Sequence, residues 1–524
     1  MDIIVDDIVL HPDEREETLG AVIADRLGMQ RPPAWRILRK SLDSRKKRSI
    51  HYRYRLAVNV PDTDAPGLLG LPGVAPCLEG PAPAAARCPA GGSVAVIGSG
   101  PAGLFAALRL IDAGVRVTIF ERGRTVDDRM KDIVSLESEG ALNRESNVLF
   151  GEGGAGAYSD GKLTTRTSRP ESAWFFRRMV DMGAPGSILY DAKPHVGTDM
   201  LSRILVAIRT YIASRGSSIL FNHRVDDLMM SGNSVRGLVT SDGFEHAFDR
   251  IVLATGHSAR DTYEMLDRCG VALAAKAFTA GVRVEHPREL IDTIQYGKPG
   301  FSRPLPAADY RLAFRDPVTG RGVYSFCMCP GGKIINSSSE PVRLCTNGMS
   351  YSARDLGFSN AALVVTVGVD DFGCAPLSGI ALQRSIEEKA FISGGGGFRA
   401  PAQRVSSFIR GKSDAGLPQC SFRPGVSPAR MDEFLPEWIT GPLRAALPEF
   451  NRRMRGFITA EGILLGAETR TSSPVRVMRG DDFQSLSHRG LYPVGEGAGY
   501  AGGIVSSAVD GIRAADIIIA ELCV

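Results

Sequence analysis

The period of apolar positions changes three times across residues 93–122, and that stretch organises the chain. Residues 94–97 form an unbroken apolar run, the pattern of a strand buried on both faces. Gly98-Ser-Gly100-Pro101-Ala102-Gly103 follows without a spacer. Leu104, Ala107, Leu108 and Ile111 then recur at helical spacing until Gly114, and a second apolar run ends on Glu121. Downstream, helices are predicted over 170–182 and 199–215, and strands over 218–221, 234–240 and 244–248. A further buried strand ends in Ala254-Thr255-Gly256. Short alternating runs at 279–284 and 363–369, set between Gly- and Pro-rich turns, predict a mainly β region. Near the C-terminus a strand enters a glycine turn at 495–503, and a helix runs on to Ala520. At the N-terminus a strand (3–10), an amphipathic helix (14–27) and a strand (50–60) predict a small α+β module.

Composition divides this pattern into domains. Residues 61–93 hold seven Pro, six Gly and seven Ala, which disfavours helix and sheet and predicts a linker. The reading is a module at 1–60, the linker at 61–93, a dinucleotide-binding domain in two parts (94–270 and 456–524) and an inserted substrate domain at 271–455. The fold class is α/β, Rossmann-like. Sixty-two basic and fifty-eight acidic side chains leave a net charge of +4, so no polyanionic partner is demanded. Residues 36–55 do hold nine Lys or Arg and one acid, but no aromatic platform accompanies them, and a solvated basic hairpin is the expectation. Residues 1–17 lack an apolar signal region, and no apolar run suits a bilayer. Nine scattered cysteines suggest neither a disulfide framework nor a zinc site. Together these predict a cytoplasmic protein with reduced thiols and no metal.

The chemistry begins at the first turn. Gly98 permits the turn, Gly100 lets backbone approach a pyrophosphate, and Gly103 lets helix pack on strand. The helix start at Pro101 and Ala102 offers N–H groups and partial positive charge to phosphates, and Glu121 is placed to accept ribose hydroxyls, with Arg122 beside it. Five glycines between Gly151 and Gly161, among them Gly153 and Gly154, would let backbone N–H groups reach a ring or phosphate. Gly495, Glu496, Gly502, Gly503 and Ile504 form a second glycine turn at a helix start, with Glu496 placed for a sugar-like hydroxyl.

Several long blocks extend this pattern: NVLFGEGGAGAYSDGKL from Asn147, KPHVGTD, GRGVYSFCMCPGG, NGMSYSARD, ETRTSSPVR and GLYPVGEGAGYAGGI. They resemble a bacterial family of FAD-dependent dehydrogenases, also called NAD(P)/FAD-dependent oxidoreductases, with a glutathione-reductase-type fold. The resemblance covers nearly the whole chain except residues 61–93. It implies bound FAD and a redox role, and adds Arg129, Lys162, Val225, Ala254, Thr255 and Gly256 to the expected cofactor contacts. No cysteine lies between Cys88 and Cys269, and no second GxGxxG is present, so a disulfide reductase of the pyridine-nucleotide type is not expected.

The leading expectation is an FAD-dependent dehydrogenase or oxidase taking a hydride from a small molecule. A flavin monooxygenase reduced by NAD(P)H is the alternative, and an FAD-binding scaffold or RNA-associated protein is the reading outside enzymes. Candidate catalytic side chains are His195, His257, Tyr324, Cys327 and Lys162; Cys327 forms a CxC pair with Cys329, a redox couple or thiol nucleophile in one reading, with packing the favoured role because a CxC disulfide is strained. Arg470 and Arg476 are candidates for a substrate carboxylate, with structural ion pairs as the competing role.

Overall fold

A computed structural model describes residues 1–77, 92–165, 169–298 and 300–523. At its centre is a five-stranded parallel sheet in the order Leu491–Pro493, Ile251–Leu253, Ser93–Ile97, Arg116–Glu121, Ser218–Phe221. The chain leaves Ser93–Ile97 toward one edge first and returns later to pair on its other side. Such a switch point opens a crevice beyond the carboxyl ends of the strands. The loops after Ile97, Glu121, Leu253 and Pro493 all emerge into it.

Two helices pack against one another on this sheet, Pro101–Asp112 and Ile504–Leu522. Glycines seat the first helix on its own strand and turn, and the second helix on the first. A Cβ on Gly103 would lie 2.0 Å from the Gly98 carbonyl oxygen, and one on Gly511 would lie 2.1 Å from that of Ala102. One apolar core unites these helices with Val94, Val96, Val117 and Ile119 of the sheet.

The second sheet has seven strands: Ala313–Arg315, Gly322–Cys329, Phe358–Val367, Phe278–Pro287, Ile463–Glu468, Ala400–Arg404 and Val426–Pro428. Every pairing is antiparallel except the last. It is not the mainly β body expected: helices Ser378–Ser393 and Glu437–Arg453 pack against it and share its core. Alternating strands stand out in a sequence, whereas Ser378–Ser393 carries a weak amphipathic pattern and Glu437–Arg453 contains Pro442 and Pro448. The sheet also extends beyond residue 455, since Ile463–Glu468 pairs with two of its strands.

The N-terminal sheet runs in the order Trp35–Asp43, His51–Asn59, Asp2–Leu10, Val74–Pro76, all antiparallel. Val74–Pro76 and the helix Ala65–Leu68 fall in the stretch expected to be a structureless linker. Composition misled there, because a three-residue edge strand needs only a backbone ladder. The rest of that stretch, 78–91, lies outside the described residues. Acids inside and outside the basic hairpin offset part of its charge: Lys40 pairs with Glu16 at 2.5 Å, Arg45 with Asp43 and Arg53 with Asp7 at 2.5 Å, and Arg55 with Asp6 at 3.3 Å. Its outer strand docks on the main body through Lys40, whose N–H donates to the Tyr190 carbonyl while its own carbonyl accepts from Ala192. No described helix is long and apolar enough to cross a membrane.

Gly511→Ala and Gly103→Ala each force a methyl onto a backbone oxygen. Each is expected to lower the unfolding free energy by about 1–3 kcal/mol, as overpacking does. Urea denaturation followed by circular dichroism measures it.

Candidate functional site

A groove with an accessible interior of about 290 Å³ runs along the carboxyl ends of the parallel strands. One end is bounded by Glu121, Arg122, His223, Arg224 and Val225. Its middle is formed by Gly98, Gly100, Pro101, Ala102 and Gly154. The far end brings together Lys162, Thr255, Gly256, His257, Glu496, Gly502, Gly503 and Ile504, with Phe326, Cys327, Asn347 and Glu468 from the seven-stranded sheet and its neighbouring ribbon. Two helix N-termini, at Pro101 and Ile504, therefore open onto a single groove, each with unpaired N–H groups and partial positive charge.

The groove fits an elongated, doubly phosphorylated ligand. A Cβ on Gly100 would meet only the Gly154 Cα, at 4.0 Å, and one on Gly502 would meet nothing within 4 Å. Protein packing does not require glycine at those two positions. Open space for a close ligand does, and the FAD pyrophosphate and ring are groups of that kind.

Several residues expected at the cofactor have structural partners of their own. Arg129 is fully buried and does not face the groove. Its guanidinium donates to the carbonyls of Asn147, Val148, Glu152 and Gly154 at 2.7–2.9 Å. It lies over the Tyr158 ring, and burial lowers its pKa to about 10. It pins the glycine loop in place. Glu121 is buried too: one carboxylate oxygen accepts from the Ser99 N–H and hydroxyl, the other from the N–H groups of Gly123 and Gly151. Four donors within the protein already occupy the carboxylate expected to serve a ribose. Arg122 is paired to Glu145 at 2.7 Å and Asp261 at 2.5 Å. Gly103, Gly153 and Gly495 sit behind the groove wall: a Cβ on Gly153 would meet Leu205 at 2.4 Å, and one on Gly495 would meet Ala102 at 2.7 Å.

The catalytic candidates divide. Lys162, His257 and Cys327 line the groove; His195 and Tyr324 do not. His195 hydrogen-bonds through Nε2 to the Ser352 carbonyl at 3.0 Å, and its backbone bridges to Lys162, so it holds the loop. Burial lowers its pKa. Tyr324 is 41% exposed on the second strand of the seven-stranded sheet. Arg470 reaches the groove wall, but Glu387 takes its guanidinium at 2.9–3.0 Å and Ser339 accepts its remaining arm at 2.7 Å. Arg260 shares that buried Glu387 carboxylate. No fork is left for a substrate carboxylate. Arg476 lies against Tyr500, outside the groove.

The groups that remain to do chemistry are at the far end. Burial raises the Glu496 carboxyl to about 7, against the Gly503 N–H and the charge of Lys276. His257, 4.0 Å away, is driven by burial and by the Arg470 and Arg260 charges to about 4, and so stays neutral. Glu468, which sequence reading passed over for its neighbour Arg470, is raised by burial to about 7 despite its 3.0 Å ion pair with Arg283. Lys162 stands 3.5 Å from buried Asp160. Phe326, Asn347, His223 and Arg224 were also missed. Phe326 and Asn347 lie within quoted motif blocks, and His223 and Arg224 beside Val225, but such membership does not say which side of a strand faces inward.

These features define a nucleotide-binding oxidoreductase of mixed α/β architecture. Residues 92–283 match the pyridine nucleotide-disulphide oxidoreductase model and residues 277–471 the model "FAD-dependent protein, C-terminal domain-like"; residues 3–59 match a domain of unknown function. An uncharacterized protein of Clostridium beijerinckii is 45% identical over 427 residues, 81% of this chain and 80% of that protein. The chain belongs to this family of FAD-dependent oxidoreductases. A 6-methylpretetramide 4-monooxygenase of Streptomyces rimosus is 30% identical over 33% of this chain and 40% of its own length. Among solved structures, a glycerol-3-phosphate dehydrogenase from Bacillus halodurans in complex with FAD is 12% identical, covering 83% of this chain and 65% of that one at a TM-score of 0.35. At these values it does not bear on the chemistry.

Gly100→Ala and Gly502→Ala are expected to leave stability nearly unchanged yet weaken FAD retention tenfold or more, read as flavin absorbance per protein after gel filtration. A carboxyl raised in the folded state adds stability that is full below its ordinary value, 4.5, and gone once pH passes about 7. The urea midpoint of flavin-free protein is therefore expected to fall between pH 5 and pH 8 through Glu496, and Glu496→Gln to narrow that gap.

Proposed function

We propose that the protein is a dehydrogenase or oxidase of the glutathione-reductase-type FAD fold that oxidises a small molecule at the far end of the groove. The ADP half of the cofactor lies on the turn 98–103 and the ring against Gly502, Gly503 and Lys162. Bound FAD supplies a two-electron acceptor. The observation that carries this reading is the convergence of Lys162, His257, Glu496 and Glu468 at one end of a groove whose other charged residues are held by ion pairs or, for Glu121, by hydrogen bonds within the protein.

Each residue there has a task its environment suits. Glu496, balanced near neutral pH, takes the proton that leaves the substrate as it is oxidised. Neutral His257 beside it donates or accepts a hydrogen bond without adding charge. Lys162 and the N-terminus of Ile504–Leu522 stabilise negative charge developing at that end. The seven-stranded sheet closes over it with Phe326, whose exposed ring offers an apolar surface to the substrate.

The partial likeness to a monooxygenase supports a second reading, in which NAD(P)H reduces the protein and oxygen reoxidises it. Anaerobic photoreduction followed by mixing with oxygen, with NADPH and without, separates the two. For a dehydrogenase or oxidase, NADPH is not consumed. Rapid NADPH consumption coupled to oxygen uptake would favour the monooxygenase. Purified protein releasing NAD, or no flavin, on mass spectrometry would defeat both. In the flavoprotein, the midpoint potential is expected to change slope near pH 7, and Glu496→Gln to remove that inflection.

A further inference from the structure

One pair of nucleophiles at the groove has no task in this scheme. Cys327 lines the groove and is half-buried, while Cys329 is fully buried directly behind it. In a regular strand, residues two apart point the same way but stand too far apart for their sulfurs to meet. This strand is not regular. Its register against Phe358–Val367 slips between Phe326 and Cys329, and Cys327 takes a left-handed backbone with φ 42°. Few non-glycine residues adopt that conformation, and in well-packed proteins it clusters at functional sites.

One buried cation holds the backbone of Cys327 and the sulfur of Cys329. Arg283, fully buried, donates to the Cys327 carbonyl at 2.7 Å, to the Cys329 sulfur at 3.4 Å and to both Glu468 oxygens at 3.0–3.1 Å. The Cys329 thiol also lies 3.4 Å from the Cys327 carbonyl. A hydrogen bond from Cys329, aided by Arg283 and Lys162, favours the Cys327 thiolate, whereas Cys269, Cys345 and Cys420 are pushed the other way by burial.

We propose that Cys327 and Cys329 form a redox-active dithiol at the reactive end of the groove, with Cys327 as the attacking sulfur, Cys329 as the resolving one, and small disulfides as the substrate class. The proposal rests on the flavoprotein reading above. The Cys327 thiolate attacks one sulfur of the substrate disulfide; the S–S bond breaks and the first thiolate leaves. The Cys329 thiol loses its proton and attacks Cys327, closing an intramolecular disulfide and releasing the second thiolate. The substrate gains two electrons, the cysteine pair loses two, and the departing thiolates collect the protons. Restoring the dithiol takes two electrons and two protons, within the capacity of reduced FAD.

The tryptic peptide from Gly322 to Lys333 holds both cysteines, so mass spectrometry tests the pair directly. The purified flavoprotein is incubated with oxidised glutathione. The expected wild-type peptide is lighter by two hydrogens and carries no glutathione. Cys329→Ser is expected to trap one glutathione on Cys327, and Cys327→Ser to show neither change. In parallel, iodoacetamide at pH 7 is expected to modify Cys327 faster than exposed Cys374. An unaltered wild-type peptide, glutathione retained in the wild type, or glutathione on Cys329 in Cys327→Ser would overturn the proposal. So would a Cys329→Ser protein that alkylates normally yet traps nothing. Flavin absorbance of the same samples keeps the two readings apart: exchange without flavin defeats the cofactor reading alone, and flavin without exchange defeats the dithiol alone.

Discussion

The close approach of the helices Pro101–Asp112 and Ile504–Leu522 is the constraint on which the rest of the molecule depends. They lie about four hundred residues apart in sequence, yet Gly511 brings one against the backbone of the other at Ala102. That contact points two N-termini into one groove and joins the last strand, Leu491–Pro493, to the sheet begun by the first βαβ unit. Two partial positive charges then face one space, and an anionic ligand spanning both is the natural occupant.

Around that axis, buried charge is sorted into two kinds. Arg129 spends its donors on backbone carbonyls and fixes the glycine loop. Glu387 holds Arg260 and Arg470, a buried cluster that is strongly destabilised if one partner is removed. Against the penalty of burial, the charges of Arg260 and Arg470 hold the Glu387 carboxyl below its ordinary value. Glu496 and Glu468 are instead raised toward 7, and both face the groove. Glu285, held by Ser421 within the seven-stranded sheet, is also raised by burial to about 7 but does not face the groove, whereas Glu496 and Glu468 lie at the end where two sheets meet.

Much of the nucleotide-binding half was legible, because its units are contiguous. Strand, glycine turn, helix and strand follow one another over thirty residues, and the turn at 254–256 and the closing helix lie on the groove as their motifs implied. The supporting side chains were not legible. Nothing in the sequence says that Arg129 turns toward carbonyls 18 to 25 residues away, or that Glu387 and Arg470 meet across 83 residues. The same holds for Glu468, which gains its place from pairing with Phe278–Pro287, far away in sequence. Glycines at Gly100 and Gly103 look alike in a motif; only the neighbours of their absent side chains distinguish an open surface from a packing contact.

The most direct measurement is a crystal structure of the purified protein with its bound cofactor. The expected density is FAD, with its pyrophosphate over Gly100 and Ala102 and its ring against Lys162, Gly503 and Glu496, beneath Phe326 and Cys327. A ring lying instead at the His223 and Arg224 end, or a nucleotide without a flavin, would contradict the assignment of that far end as the place of reaction.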